Sequence, residues 1–255
     1  MATPTFTLID GPTLLIEVGG LRILTDPTFD EPQSFSSAGA TERKLNWPPV
    51  SPESLLPLDV ILLSHDQHLD NLDPAGRRFL PSAGRVFSTV DAAERLGGNT
   101  EGLAPWSSTK MPLPDGRNLA ITAVPARHGP VGIEAKTGHV TGFVLSIDGS
   151  KDIYVSGDTV WFSGIAEIAR RFDVGVAILF AGAAQPRGPF NVTMDSNDAI
   201  EAATAFSDAK IISVHNLGWS HYTQSQQDLV RAFEAVGIGD RIEKLAPCVA
   251  VSLEI

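Results

Sequence analysis

One cysteine, Cys248, in 255 residues cannot close an internal disulfide. The opening segment Met1–Gly11 has neither a basic start nor an apolar core, so a reducing, cytoplasmic setting is expected. No Cys-x-x-Cys pair occurs, which removes the usual structural-zinc and dithiol signatures. The longest apolar stretch, Val174–Ala184, falls well short of the ~20 residues that a bilayer helix needs, and no membrane partner is expected. Basic residues are scarce as well: 19 Lys+Arg against 30 Asp+Glu give a formal charge of −11, which repels phosphate polymers and sets nucleic acid aside as a partner. The Gly-Gly pairs at Gly19 and Gly97 are not followed by Gly-Lys-Ser/Thr, and no Gly-x-Ser-x-Gly is found, so nucleotide phosphotransfer and nucleophile-elbow serine chemistry lack support.

What is present is enough apolar sequence, 43%, for a full core, and a length that suits one domain over residues 1–255. Thr13–Thr25 reads as two strands around Gly19-Gly20 and ends in Asp26-Pro27; Gly142–Ser156 repeats the pattern and ends in Gly157-Asp158. This suggests a duplicated β-rich half. Helices are expected over Asn71–Leu80, Asp91–Leu96, Ser163–Phe172, Asp195–Phe206 and Ser225–Val236. Strands followed by helices, twice, pack most economically as a four-layer α/β/β/α sandwich. Pro27–Pro57 holds six prolines and little periodicity and reads as a long loop that acts as a lid or binding edge. Ala246–Val251 alternates as a buried terminal strand, which makes Cys248 structural.

Four apolar runs end at or near a His or Asp: Val60–Leu63 before His65, Ile121–Val124 before His128, Ile153–Val155 before Asp158, and Ile211–Val214 before His215. Strand ends are where ligands converge in layered α/β folds. The densest cluster is Ser64–Asp73, in which five of ten residues can ligate a metal. Imidazole with carboxylate suits zinc, manganese or iron. The alternative is an Asp-rich helix cap with two exposed histidines.

Ser64–Asp73 resembles the signature His-x-His-x-Asp-His of the metallo-β-lactamase superfamily, in the form used by its lactonase and phosphodiesterase-like hydrolases. Four other segments fall in the family's order. Leu24-Thr25-Asp26-Pro27 is similar to its early strand end, Pro125-Ala126-Arg127-His128 to its third histidine, and Ser156-Gly157-Asp158-Thr159 to its bridging aspartate. Val214-His215 resembles its last histidine, and His215 through Gly218-Trp219-Ser220-His221 its closing stretch. Anchoring on His65 puts Gln67 where the second histidine belongs. Anchoring on Asp70-Asn71-Leu72-Asp73 requires one extra residue in the turn and makes His68 that histidine. The second alignment is preferred; it sets Asp70 at a helix start and Asn71, a weaker donor, at the third motif histidine.

The resemblance implies a metallo-β-lactamase-like sandwich with His65, His68 and His128 at a first metal site, Asp158 shared, and Asp70 and His215 at a second, beside Asn71. One or two divalent ions are implied, zinc first, with manganese or iron as alternatives. Asp26 would fix an imidazole tautomer or serve as a turn carboxylate before Pro27. His221 would orient substrate or protonate a leaving group, or be a plain surface histidine. His139 reads as a strand-edge residue, and Trp47, Trp161 and Trp219 as pocket walls or core packing.

The expected activity is hydrolysis of an ester, lactone or phosphodiester bond in a small molecule by a metal-activated hydroxide, with Asp70 orienting it and taking its proton. Two rivals stand beside it: a degenerate metal-binding domain without catalysis, motivated by Gln67 and Asn71, and a di-iron redox enzyme. A homo-oligomer is left open.

Overall fold

A computed structural model of the chain describes residues 3–37 and 40–255. Met1 and Ala2 of the opening segment, and Ala38 and Gly39 of the proline-rich segment, lie outside the described residues. In chain order the strands are β1 Thr5–Asp10, β2 Thr13–Val18, β3 Leu21–Thr25, β4 Gln33–Ser37, β5 Ala40–Lys44, β6 Leu58–Leu62, β7 Ala83–Ser88 and β8 Thr100–Gly102. There follow β9 Ser108–Pro112, β10 Asn118–Pro125, β11 Thr141–Ile147, β12 Asp152–Val155, β13 Val174–Phe180, β14 Lys210–Val214, β15 Ile242–Glu243 and β16 Ala250–Ser252. The α-helices are α1 Pro74–Phe79, α2 Val90–Leu96, α3 Glu134–Thr137, α4 Ser163–Arg171, α5 Ser196–Ala205 and α6 Gln226–Ala235.

Two seven-stranded sheets, ordered β16-β1-β2-β3-β6-β7-β8 and β15-β14-β13-β12-β11-β10-β9, stack face to face. Their facing side chains form one core: Ile16, Ile23, Val60 and Phe87 of the first sheet meet Ile121, Phe143, Val155, Ile178 and Val214 of the second. The outer face of the second sheet is covered by α4, α5 and α6 through Ile165, Ile168, Ala202, Leu229 and Phe233. Phe79 and Leu80, at the end of α1, pack on the outer face of the first sheet. Every residue of β13, VGVAILF, is buried, as a strand covered on both faces requires.

The two hairpins foreseen from the sequence occupy the same place in each sheet. β2 pairs antiparallel with β3, and β11 with β12; β3 then runs parallel to β6 and β6 to β7, just as β12 runs parallel to β13 and β13 to β14. Equivalent strands β3 and β12 therefore deliver Asp26 and Asp158 from equivalent ends.

Three expectations need correction. The first helix starts at Pro74, not Asn71: the Asp73 side chain accepts from the Gly76 amide, and Pro74 needs no amide partner in a first turn. Asp70 and Asn71 thus lie in a turn, not at a helix start. Within Pro27–Pro57, β4 and β5 form an antiparallel hairpin. The alternation of β5 sends Glu42 and Lys44 inward, where both are buried, and Arg43 outward. Lys44 Nζ lies 3.1 Å from Asp73 and 3.9 Å from Asp10, all three buried, and Ser220 N donates to the Arg43 carbonyl. Finally, Cys248 is exposed; the terminal strand β16 begins only at Ala250, because the chain turns at Cys248 with φ of 60°.

Candidate metal centre

The strand ends foreseen as chemical do converge. β6 leads to Ser64 and His65, β10 to His128, β12 to Asp158 and β14 to His215. Two of the converging positions hold backbone conformations rare outside glycine, Asp26 with φ of 26° and His215 with φ of 59°. Strain of that kind costs about 1–3 kcal/mol and concentrates where geometry serves chemistry. The turn at His215 is fixed by its amide on the Gly11 carbonyl, 2.8 Å, and by Gly182, where any Cβ would collide with the His215 carbonyl oxygen.

His65, His68, His128 and Asp158 each offer an atom within 4.8 Å of the others, and so do Asp70, Asp158 and His215. Proton positions in the first group follow from its partners. His128 Nδ1 lies 2.7 Å from the Val192 carbonyl, which can only accept, so the ring's proton is there and Nε2 carries a lone pair. His65 Nδ1 donates to Ser64 Oγ, 2.9 Å, whose hydroxyl donates to Asp26 Oδ1, 2.8 Å. That leaves His65 Nε2 bare as well. His68 Nδ1 stands 2.8 Å from His65 Nε2 and 3.0 Å from His128 Nε2, so at most one proton serves three converging nitrogens. Burial, and then the neighbouring histidines, hold His65 well below its usual pKa; burial, and then His68, push His128 down to about 3. Neutral rings with crowded lone pairs are what a divalent cation needs, and the donor set fits one.

The second group has the same gap in its pairing. His215 is fully buried, and neither ring nitrogen finds a hydrogen-bond partner among the described residues. Its Nε2 lies 3.3 Å from Asp70 Oδ2 and 3.4 Å from Asp158 Oδ1. Burial disfavours the charged His215 ring, yet the Asp158 and Asp70 carboxylates outweigh it and raise its pKa. Asp158 joins the groups: Oδ1 faces His215, while Oδ2 lies 3.6 Å from His128 Nε2. Burial pushes the Asp158 carboxyl up to about 6.

The two departures from the family signature are now explained by position. Gln67 is exposed and rests against Gly138, away from the cluster. Asn71 donates through Nδ2 to Asp158 Oδ1, 3.0 Å, and steadies that carboxylate. Asp66 also turns away, into the fork of Arg95, with the Nε of Arg95 3.0 and 3.1 Å from its two oxygens. Asp26 reaches His65 through Ser64 and not directly. His221 is no plain surface residue: its Nε2 lies 2.8 Å from Asp70 Oδ2, and Tyr222 donates to the same oxygen at 3.3 Å. His139 is exposed and pairs with Asp91 at 2.7 Å, outside the cluster.

A pocket of about 220 Å³ opens onto the cluster; Glu42, His68, Asp70, His128, Lys136, Thr137, Asp158, Arg187 and His221 contribute its polar lining. Its apolar lining is Ile133, Pro186, Phe190 and Val192. None of the tryptophans considered lines it: Trp47 is exposed, Trp161 packs near the outer helices, and Trp219 is buried against Phe35. Sequence reading passed over Glu42, Arg187 and Tyr222. Alternating charges in Thr41-Glu42-Arg43-Lys44 could have flagged the first, since a period of two sends Glu42 and Lys44 to one face. Arg187 follows β13 in a Pro- and Gly-rich loop, a place that signals a loop but no chemistry.

The chain is 31% identical over 237 residues to a UPF0173 metal-dependent hydrolase of Pelotomaculum thermopropionicum, covering 90% of this chain and 91% of that one. It is 28% identical over 196 residues to N-acyl-phosphatidylethanolamine-hydrolyzing phospholipase D 1 of Caenorhabditis elegans, covering 71% of this chain and 54% of the relative. In fold it is similar to the crystal structure of isothiocyanate hydrolase from Delia radicum gut bacteria, with a TM-score of 0.84, 23% identity, and coverage of 98% and 100%. The family of the beta-lactamase superfamily domain matches residues 21–216, a span that holds His65, His68, Asp70, His128, Asp158 and His215, and the chain belongs to this family.

Proposed function

We propose that this metal-dependent hydrolase of the beta-lactamase superfamily cleaves an ester, lactone or phosphodiester bond of a small molecule. His65, His68 and His128 hold one divalent cation, Asp70 and His215 a second, and Asp158 lies between. The observation that carries the reading is Asp158, whose two oxygens face one histidine of each group. Zinc suits this mixture of imidazole and carboxylate, and manganese or iron share it. When bound, such a cation lowers the pKa of a water it holds toward ~7 and polarises the oxygen of the scissile group.

The chain's own residues do the rest. Asp70, with Oδ2 beside His221 and Tyr222, orients the attacking water and accepts its proton. Burial works against that carboxylate, but His221 and His215 outweigh it and keep Asp70 well below the usual carboxylate range, so it is ionised at neutral pH. His221, which lines the pocket, returns the proton to the leaving group. The His65–Ser64–Asp26 and His128–Val192 contacts keep both rings in the tautomer that presents Nε2.

The pocket bears on substrate size. About 220 Å³ lies below the ~300–1,000 Å³ of sites for drug-sized ligands, so the part of the substrate held there is small. The phospholipase relative favours a phosphodiester among the three bond types.

The test is Asp70→Asn, assayed with generic ester, lactone and phosphodiester substrates. A fall in kcat of about a hundredfold or more, with KM changed far less, is expected from loss of the proton acceptor. A pure rise in KM would remove Asp70 from that role.

A further inference from the structure

We propose that Arg187 binds an acidic oxygen group of the substrate, carboxylate or phosphate, at the mouth of the pocket and away from the bond that is cut; this rests on the hydrolase reading above. Arg187 sits at the tip of the loop that joins β13 to α5. The loop is closed on itself: Val192 N donates to the Ala184 carbonyl and Ala184 N to Thr193 Oγ1, both at 2.9 Å, and Gln185 Nε2 donates to Asn191 Oδ1 at 2.8 Å. It is also fastened to the catalytic cluster from two sides. Gln185 N donates to the His221 carbonyl at 2.9 Å, and the Val192 carbonyl accepts from His128 Nδ1 at 2.7 Å. An exposed arginine is thereby held on a backbone whose position is tied to the reacting centre.

Charge around the pocket points the same way. Among the described residues that line it, the two basic ones are Arg187 and Lys136, both exposed at the rim. The acids at the floor, Asp70 and Asp158, belong to the cation sites. Glu42 remains, buried at the wall; burial and then Asp70 raise its carboxyl, with His221 and Arg187 opposing them. A molecule entering from solvent therefore meets positive charge first, on a chain whose net charge is −11. Without such a patch an anionic substrate is repelled by the protein as a whole; with it, encounter is steered to the cleft. The flat guanidinium fork matches carboxylate and phosphate oxygens in pairs, which the point charge of Lys136 does not. Ile133, Pro186 and Phe190 line the space between rim and floor, so the ligand implied is small, acidic at its outer end and apolar in between.

The test compares Arg187→Ala, Arg187→Lys and wild type, each loaded with zinc, on 4-nitrophenyl hydrogen succinate and its neutral methyl ester. Loss of a charged, paired hydrogen bond is expected to raise KM for the acidic ester at least about tenfold more than KM for the neutral one, with lysine restoring part of the difference. An equal change for both esters overturns the proposal. In a second arm, calorimetry measures binding of succinate, ethyl phosphate and neutral succinamide. Weaker binding of succinate or ethyl phosphate to Arg187→Ala, with succinamide unaffected, supports the assignment and tells which oxyanion is preferred; equal binding by wild type and variant overturns it. Should wild type cut neither ester, the bond assignment has failed and calorimetry alone judges Arg187.

Discussion

Asp158→Ala is expected to lower kcat/KM by at least about a thousandfold while the protein stays folded. The size follows from what is lost: a cation acting on a scissile group contributes several kcal/mol to the transition state, and each 1.36 kcal/mol is a factor of ten. Asp158 faces both donor groups, through Oδ1 toward His215 and Oδ2 toward His128, and among the described residues it is the one shared by the two groups. Folding should survive, because burial already pushes this carboxyl up to about 6 and its removal takes a poorly solvated charge out of the metal-free protein. Turnover on a generic substrate and a thermal melt check both halves. Activity within tenfold of wild type would mean that the two groups do not work through Asp158.

Lys44→Ala should be the most destabilising substitution outside the cluster. The Lys44 ammonium has no solvent exposure and faces Asp73 at 3.1 Å and Asp10 at 3.9 Å, both also buried. Removing one partner of a buried ion pair costs about 3–5 kcal/mol, since the remaining charges are left without compensation. For a chain of this size that is a fall in Tm of about 6–20 °C. The deficit should depend on pH in a definite direction. Burial raises Asp10 to about 6, and Lys44 is the chief group opposing that rise. Without Lys44 the folded pKa of Asp10 climbs further above its unfolded value, so stability is lost as pH rises through it. The variant should therefore be closest to wild type near pH 5 and furthest from it above pH 7. A deficit that grows on acidification contradicts this account. Because β5 also carries Glu42 to the pocket, the same variant should loosen the edge of the site contributed by the hairpin.

These two cases also mark what could be read from the sequence. The sandwich was legible because its strands carry strong local patterns: Val174–Phe180 is apolar throughout, and the β2–β3 and β11–β12 hairpins announce themselves by Gly19-Gly20 and Asp148-Gly149 turns. Most members of the cluster were legible because histidine and aspartate stand just past those strands, where few residue types explain themselves otherwise. The β4–β5 hairpin was not. Its support comes from residues far away in the chain, such as the bridge between Lys44 and Trp219, and local pattern cannot report a partner 175 positions distant. Cys248 failed for the opposite reason: Ala246–Val251 has the alternation of a strand, but residues 246–250 are exposed and only Val251 packs against the core. At α1 the choice among several capping acids was decided by Pro74, which makes Asp73 the residue that closes the first turn.

Beyond these variants, the account stands on whether His65, His68 and His128 act together on one cation. Metal content, measured by mass spectrometry on wild type and His128→Ala purified without added metal, addresses that directly. His128 presents a bare Nε2 to His68 at 3.0 Å while its other nitrogen is tied to Val192, so its loss opens the first group. The expected result is bound metal in wild type and about one equivalent less in His128→Ala; equal metal in both proteins would contradict the assignment.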